Sequence, residues 1–306
     1  MTPVYHIQAT DPCCHSAAQQ NLNPENPCLS TAPSPLSASP ALAAIAAAFT
    51  EARAQGRSLP AFPGEIPPDL VTAYQVQDLA IARWHARVAG WKVGFIAAER
   101  RDASGDERLL GPIFADALWI ATGGMQDIPV FTGGFGAVEA EYVLRLDADA
   151  PADRLEWTPE QTEAVPARLF IGVEVASSPL ATINMLGPRV VVSDFGNNNG
   201  LIVGEEIIDW RARAESDLRC TTRIDGVVVG EGGATTLPGG LRAAFAFALG
   251  RSARRGCPLR AGDWIATGNA TGIHDILPGQ VATISFAGIG TIECRAVAAP
   301  RGDRAS

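Results

Sequence analysis

Three glutamates lie in sequence that is otherwise largely apolar. Glu139 and Glu141 are two positions apart in VEAEYVLRL, and Glu174 is the only charged residue in LFIGVEVA. On a β-strand, side chains two apart point to the same face, with Cα atoms roughly 7 Å apart, so this pair can hold one hard cation. An ionised Glu174 inside an apolar strand needs a partner, because burying it alone is very costly. Three carboxylates suit Mg²⁺ or Mn²⁺ rather than zinc.

The same glutamates have simpler interpretations. Glu139 and Glu141 together with Arg145 form a solvated strand face if that face meets water. Glu174 needs no partner if its end of the strand reaches the surface. Two neighbouring carboxylates without a cation repel, and one tends to take up a proton. The burial of the three side chains therefore decides between a metal site and a surface.

Lys92 and Asp116 are the candidates for proton transfer. Lys92 lies in AGWKVGF, and apolar surroundings lower the pKa of an ammonium group, which lets it act as an acid or a base. The alternative is a lysine whose stem carries the charge to the surface. Asp116 is the only acid in LLGPIFADAL, where a helix N-cap is its simpler role.

Two loops are candidates for binding an anionic substrate. Asp194 follows a predicted β-run and opens DFGNNNG, a loop dense in amides, for which an ordinary turn is the alternative. The segment ATGNATGIHDILPGQ offers hydroxyl groups and backbone amides, including those of Thr267 and Gly268. Its histidine, His274, is interpreted as a bystander. The sequence holds no GxSxG motif, so acyl-enzyme chemistry is not expected.

The elements that must position these residues run from helices to strands. A first helix is predicted from Pro40 to Gly56, and a second begins after Asp69 and stops at Gly90. Short β-type runs broken by glycine follow from Trp91. The remaining elements are expected at residues 137–146 and 169–176 (strands), 158–160 (the start of a short helix), 239–255 (a helix) and 287–290 (a hairpin). This order predicts an α+β fold.

Composition sets the domain plan and excludes some functions. Residues 1–39 are predicted to be a disordered extension, 40–130 an N-terminal α/β part, 131–299 a β-rich metal-binding catalytic part and 300–306 a tail. The net charge of −9 argues against a nucleic-acid binder. No apolar run reaches the length of a membrane span, and no secretory signal is evident, so a cytoplasmic protein is expected. The six cysteines form no CxxC pair and are predicted to be reduced thiols.

Several motifs occur in an order that resembles the 2-keto-4-pentenoate hydratase and 4-oxalocrotonate decarboxylase branch of the fumarylacetoacetate hydrolase superfamily. The motifs are AYQVQ, GWKVG, GPIFAD, VEAEYVLRL, GVEVASSP, a loop ending GLIVG, and AGDWIATG followed by LPGQ and GIGTIECRAV. They span about residues 45–298. The loop DFGNNNG departs from the DNASSG type better known in that family.

The resemblance implies a fold, a site and a reaction. The fold would be a helical and mixed N-terminal region followed by a mixed β-sheet roll. Glu139, Glu141 and Glu174 would hold Mg²⁺ or Mn²⁺, and Lys92 and Asp116 would move protons. Substrate would be bound by the loops that carry Asp194, Asn197, Thr267 and Gly268.

The implied activity is that of a lyase. A hydratase would add water to a small 2-hydroxy-2,4-dienoate (2-keto-4-pentenoate type) through a metal-stabilised enolate, and the enzyme would be a homo-oligomer. Decarboxylation of a 2-oxo-3-enedioate or hydrolysis of an acylpyruvate-type C–C bond is the alternative on the same scaffold. A non-catalytic protein that binds keto acids is a further alternative. The retained glutamates and lysine argue against it.

Overall fold

Two mixed β-sheets form the frame of the protein in a computed structural model that describes residues 39–300. The helices are α1 (Pro40–Ala54), α2 (Leu70–Arg83), α3 (Ile183–Leu186), α4 (Pro188–Ser193) and α5 (Gly240–Arg254). The strands are β1 (Val88–Phe95), β2 (Arg108–Phe114), β3 (Leu118–Ile120), β4 (Gln126–Val130), β5 (Phe135–Leu146), β6 (Ala167–Ser178), β7 (Asn198–Glu206), β8 (Arg219–Ile224), β9 (Val227–Gly233), β10 (Trp264–Asp275), β11 (Val281–Phe286) and β12 (Gly290–Ala298). The predicted extension 1–39, apart from its last residue, and the tail after residue 300 lie outside the described residues.

The larger sheet has seven strands in the order β2-β1-β10-β5-β6-β7-β3, and the smaller has five in the order β4-β12-β11-β8-β9. The larger sheet is mostly antiparallel, with parallel pairs between β1 and β10 and between β3 and β7. The predicted boundary at residue 130 falls between β4 and β5, and strands from both sides of it pair in both sheets. The α+β prediction is confirmed.

The central strand β5 is buried on both faces, which excludes a solvated glutamate face. Its residues 137–144 are all buried, whether they point to the apolar side with Tyr142 or to the side with Glu139. β6 covers one edge through an unbroken antiparallel register, and β10 covers the other. Alternating polarity alone cannot distinguish such a strand from one with a wet face.

Strand β10 is irregular where it passes the glutamates. Its register against β5 shifts between Ala266 and Asn269 and again between Asn269 and Ile273. Gly268 lies in the first shift with φ +126°, a conformation that a side chain would strain. Such bulges re-aim backbone groups at active sites. Here the backbone N–H of Gly268 is turned towards β5.

The helix predictions are confirmed in kind but need corrections at their ends. Asp69 caps α2 as expected, accepting a hydrogen bond from Thr72 N at 2.7 Å, but the helix ends at Arg83 rather than at Gly90. Gly90 instead lies inside β1, where a Cβ would meet Trp264 O at 2.1 Å. The run before Asp194, predicted to be β, forms the short helix α4.

Two further sequence expectations can be compared with the described residues. No helix within residues 39–300 combines the length and apolar content needed to span a membrane. Cys220 and Cys294 are buried thiols without a disulfide.

Candidate active site

The three glutamates converge at the centre of the larger sheet. Glu139 on β5 lies directly opposite Glu174 on β6, and Glu141 follows two residues later on the same face of β5. Each offers a carboxylate oxygen within 4.8 Å of the other two. None of the three is more than 2% exposed. The juxtaposition follows from antiparallel register, because opposed residues on neighbouring strands bring their side chains together.

The cluster has few partners among the described residues. Gly268 N donates to Glu141 Oε2 at 2.7 Å, and Asn198 Nδ2 donates to Glu174 Oε1 at 3.1 Å. Lys92 Nζ lies 3.4 Å from the same oxygen of Glu174. Two buried oxygens, Oε1 of Glu139 and Oε1 of Glu141, accept no hydrogen bond from the described part of the chain. Buried polar atoms are rarely left unpaired, so these two invite a ligand.

Burial and mutual repulsion disfavour ionisation of two of the carboxyl groups. Burial raises the pKa of Glu139 to about 7, with a further rise from Glu174, while Lys92 and Asn269 oppose it. The pKa of Glu141 is raised well above its usual range by burial and then by Glu174 and Glu139. A pair of carboxyl groups whose ionisation is disfavoured unless a positive charge is nearby is typical of a site that binds a cation.

The donor set fits a divalent cation. Three carboxylates face a single ammonium group within the described chain, so full ionisation leaves two negative charges without a partner. The orphaned oxygens of Glu139 and Glu141 are buried in this cluster. Hard cations such as Mg²⁺ and Mn²⁺ prefer oxygen ligands of this kind. The residues that would hold one are Glu139, Glu141 and Glu174.

Lys92 is buried as predicted, but the expected direction of its pKa shift is wrong. Burial alone would lower the pKa of the ammonium group. The charges of Glu174, Glu139 and Glu141 outweigh burial and raise it above its usual value. Sequence reasoning missed this because register, not local sequence, brings three acids to the lysine.

A cavity of about 330 Å³ opens beside the cluster, within the size range of small-molecule sites. Its polar wall consists of Lys92, Arg100, Arg108, Glu139, Asn184, Asn197, Thr267 and Asn269. Its apolar wall includes Phe95, Leu109, Val191, Leu237 and Ile273. Glu139 is the only acid that lines it within residues 39–300, so the cavity presents both the cluster and an excess of positive side chains to a ligand.

Three of the predicted substrate-binding residues line this cavity. Asn197 is buried, and its Oδ1 has no partner in the described chain, so it is free to meet a ligand. Thr267 donates its hydroxyl hydrogen to Tyr142 O at 2.7 Å and keeps its lone pairs. The N–H of Gly268 is already used by Glu141. Gly268 therefore positions a carboxylate rather than offering its amide to a substrate.

Asp194, the fourth predicted substrate-binding residue, is engaged elsewhere. Its Oδ1 accepts from Arg53 Nε at 2.5 Å and its Oδ2 from Ser178 Oγ at 2.6 Å. The side chain is fully buried and does not line the cavity. It anchors the loop that carries Asn197 and Asn198, so it positions the site without offering a free oxygen to a substrate.

Asp116 also lies apart from the cluster. It belongs to a short 3₁₀ turn after β2, and its half-exposed carboxylate lies 2.8 Å from His85 Nε2. It does not line the cavity. Its predicted catalytic role stays a prediction that no contact supports.

Sequence reasoning missed residues whose role depends on distant partners. Asn198 touches Glu174, and Asn269 lies beside Glu139. Arg53 on α1 donates to Asp194, Ser177 O, Asn198 O and Asn199 Oδ1. The one sequence signal for Arg53 was an arginine within an alanine-rich predicted helix. The two asparagines had none beyond their glycine-rich surroundings.

Comparison with known proteins identifies a sequence relative and solved structures of similar fold. A scan against protein-family models finds no match. A 2-keto-4-pentenoate hydratase of Burkholderia vietnamiensis (strain G4 / LMG 22486) is 29% identical over 233 residues, which cover 74% of this chain and 86% of that protein. The 4-oxalocrotonate decarboxylase from Pseudomonas putida G7, complexed with magnesium and adipate, has a TM-score of 0.70 at 20% identity. That match covers 84% of this chain and 97% of the decarboxylase.

The complex of the same decarboxylase with calcium and acetate gives a TM-score of 0.69. The shared fold, the sequence relative and the order of the motifs point to one group of proteins. These findings support the resemblance of the chain to the fumarylacetoacetate hydrolase superfamily.

Proposed function

We propose that the protein is a divalent-metal-dependent hydratase that adds water to a 2-hydroxy-2,4-dienoate of the 2-keto-4-pentenoate type. The observation that carries the proposal is the buried three-glutamate cluster with Lys92, of which Glu139 and Lys92 line a cavity. The relative named as a 2-keto-4-pentenoate hydratase supports this choice of reaction. Glu139, Glu141 and Glu174 would hold the cation, which would supply Lewis-acid stabilisation of negative charge on a 2-oxo acid.

Lys92 is the proposed proton relay. The other cations that line the cavity in the described chain are the arginines Arg100 and Arg108. A guanidinium group does not serve as a proton donor in proteins, whereas a lysine can give and take a proton. In the cation-free cluster, the three glutamates raise the pKa of Lys92 and favour its ammonium form. Lys92 is close enough to the cluster to reach a substrate seated there.

The proton balance needs no further reactant. Ketonisation moves one proton from the 2-hydroxyl oxygen to the far carbon of the diene, and Lys92 relays it. In hydration, the water oxygen bonds to the carbon at the far end of the conjugated C=C bond. A proton from that water passes through Lys92 to the carbon next to the carbonyl. Lys92 ends each step protonated, as it began.

The rest of the cavity would orient the substrate and limit access of water. Asn197 Oδ1 can accept a hydrogen bond from a substrate hydroxyl. Leu109, Val191 and Leu237 cover the carbon chain. Apolar walls strengthen the charge interactions at the reacting end, because they exclude bulk water.

The test is a substrate panel assayed with Mg²⁺ and with EDTA. We expect Mg²⁺-dependent loss of the dienoate absorbance, with a 4-hydroxy-2-oxo acid as the product. A 4-oxalocrotonate would report decarboxylation by release of CO₂, and an acylpyruvate would report hydrolysis by release of pyruvate. Turnover of either of these, with no hydration of a dienoate, would overturn the proposed reaction.

A further inference from the structure

Two arginines line the cavity in addition to Lys92. Arg108 begins β2, and Arg100 ends the short 3₁₀ turn Ala98–Arg100 between β1 and β2. In the β1–β2 pairing, Gly111 faces Lys92, and Arg108, three residues earlier on β2, faces Phe95. Three strand residues span about 10 Å. The Cα of Arg108 therefore lies about 10 Å along β2 from the position opposite Lys92.

Arg108 is fixed in place. It is 5% exposed and contacts the Glu107 carboxylate and Pro238 O, and its guanidinium group lies 5.6 Å from the centre of the Phe95 ring. Glu107 does not line the cavity. Arg108 therefore contributes a positive charge to the cavity wall, and its side chain loses little conformational entropy when a ligand binds.

Arg100 has fewer hydrogen-bond and ion-pair partners than Arg108 among the described residues. Among the described residues it has one hydrogen bond, from Nη1 to Asn184 O at 2.7 Å, and no carboxylate within ion-pair distance. Asn184 Oδ1 in turn accepts from Asn197 Nδ2 at 3.1 Å. Arg100 thus touches the residue that holds Asn197, while most of its donors remain unused.

We propose that Arg100 and Arg108 form a subsite for a second carboxylate, so that the substrate is a 2-hydroxy-dienoic acid with an acidic group at its far end. This inference rests on the proposed function, which places the 2-oxo-acid end of the substrate at the glutamates. Neutralising the glutamates with a divalent cation and Lys92 leaves the rest of the cavity with two arginines and no acid in its described lining. Guanidinium groups bind carboxylates through paired hydrogen bonds.

The experiment compares two unreactive ligands that differ only at the far end. 2-Oxoadipate carries both carboxylates, and 2-oxohexanoate carries the same 2-oxo-acid group with a methyl end. Neither has the conjugated double bond needed for hydration. Isothermal titration of the Mg²⁺-loaded protein should show 2-oxoadipate binding about tenfold or more tightly, the scale of one charge-assisted hydrogen bond.

Variants locate the source of that preference. Arg100→Gln should reduce the ratio of the two Kd values at least threefold while leaving the Kd of 2-oxohexanoate within about twofold. Arg108→Lys keeps a charge in place of a buried arginine and should also reduce the ratio, because it loses the planar fork. Arg83→Gln, on the exposed face of α2, removes the same charge away from the cavity and should change neither value.

The outcomes separate the inference from the proposed function. Equal binding of the two ligands, or a preference that survives in both arginine variants, overturns the second-carboxylate subsite alone. If neither ligand binds in the presence of Mg²⁺, both the 2-oxo-acid site and the second-carboxylate subsite are overturned. A preference lost on substituting Arg100 supports both.

Discussion

One buried cluster of charge lies within the larger sheet and a second lies against it, and the two differ in how completely their charges and hydrogen bonds are paired. Around Asp194, one arginine meets one carboxylate, and Arg53 has donors placed on four further oxygens. Around Glu174, three carboxylates meet one lysine, and two oxygens accept no hydrogen bond from the described residues.

The difference shows what each cluster is for. A buried pair with matched charge and filled hydrogen bonds is complete, and it holds α1 to the loop that follows α4. A buried cluster with excess negative charge is complete only when something else binds. The two are joined through Asn198, whose carbonyl oxygen accepts from Arg53 and whose amide donates to Glu174. The matched pair therefore positions one wall of the incomplete site.

The comparison predicts its largest effect at Arg53. Arg53→Met keeps the stem but leaves Asp194 as an uncompensated buried charge, so unfolding should become easier by about 3–5 kcal/mol. The loss should be the same with EDTA and with Mg²⁺, because this cluster needs no cation. Chemical denaturation in both conditions measures it. Arg57→Met is the control and should cost less than about 0.5 kcal/mol, because the exposed side chain of Arg57 hydrogen-bonds only Gln55 in the described chain.

Lys92 should give the next largest effect, this time on turnover. In excess Mg²⁺, Lys92→Met should lower kcat by about 10²-fold or more while Mg²⁺ still raises the melting temperature. Lys92→Arg restores the charge beside Glu174 but cannot give up a proton. If arginine rescues turnover, Lys92 only neutralises the cluster and the relay is wrong.

Glu141 separates the two clusters by their response to metal. Glu141→Gln resembles the protonated acid that the raised pKa favours, and it still accepts from Gly268 N, so stability in EDTA should change by less than about 1 kcal/mol. Wild type should gain about 2.7 kcal/mol when Mg²⁺ stands at a hundred times its Kd. That gain should shrink in the variant. An unchanged Mg²⁺ response would remove Glu141 from the cation site.

The core of the site could be predicted from sequence because its charged residues lie within apolar segments. Glu174 is a lone charge in an apolar strand, and Lys92 stands between Trp91 and Val93, so burial of either demands a partner. Residue spacing placed Glu139 and Glu141 on one face. These inferences use only local sequence and the period of a strand.

The remainder depends on contacts that local sequence does not contain. Arg53 and Asp194 are 141 positions apart, and the turn of Gly268 towards Glu141 depends on a bulge in β10. Asp194 was predicted to bind substrate because its loop is polar, but its carboxylate instead pairs with the distant Arg53. The raised pKa of Lys92 has the same origin, since the four strands β1, β10, β5 and β6 must pair before the three acids lie close to the lysine.

The smallest predicted effect is a pH dependence that only the incomplete cluster should show. Burial and then Glu174 raise the pKa of Glu139 to about 7 from an ordinary 4.5. The folded protein therefore holds this proton over a pH range in which the unfolded chain has lost it, and stability must fall as pH rises through that range. Between pH 6 and 7 the loss in EDTA should be about 1 kcal/mol.

Glu139→Gln cannot titrate, so its stability should change less over the same interval. Excess Mg²⁺ should flatten or reverse the wild-type slope, since ionised carboxylates bind the cation. Denaturation curves at pH 6 and 7 for both proteins provide the measurement. Parallel losses in wild type and Glu139→Gln would show that another group titrates, and the contrast between the two clusters would then lose its electrostatic basis.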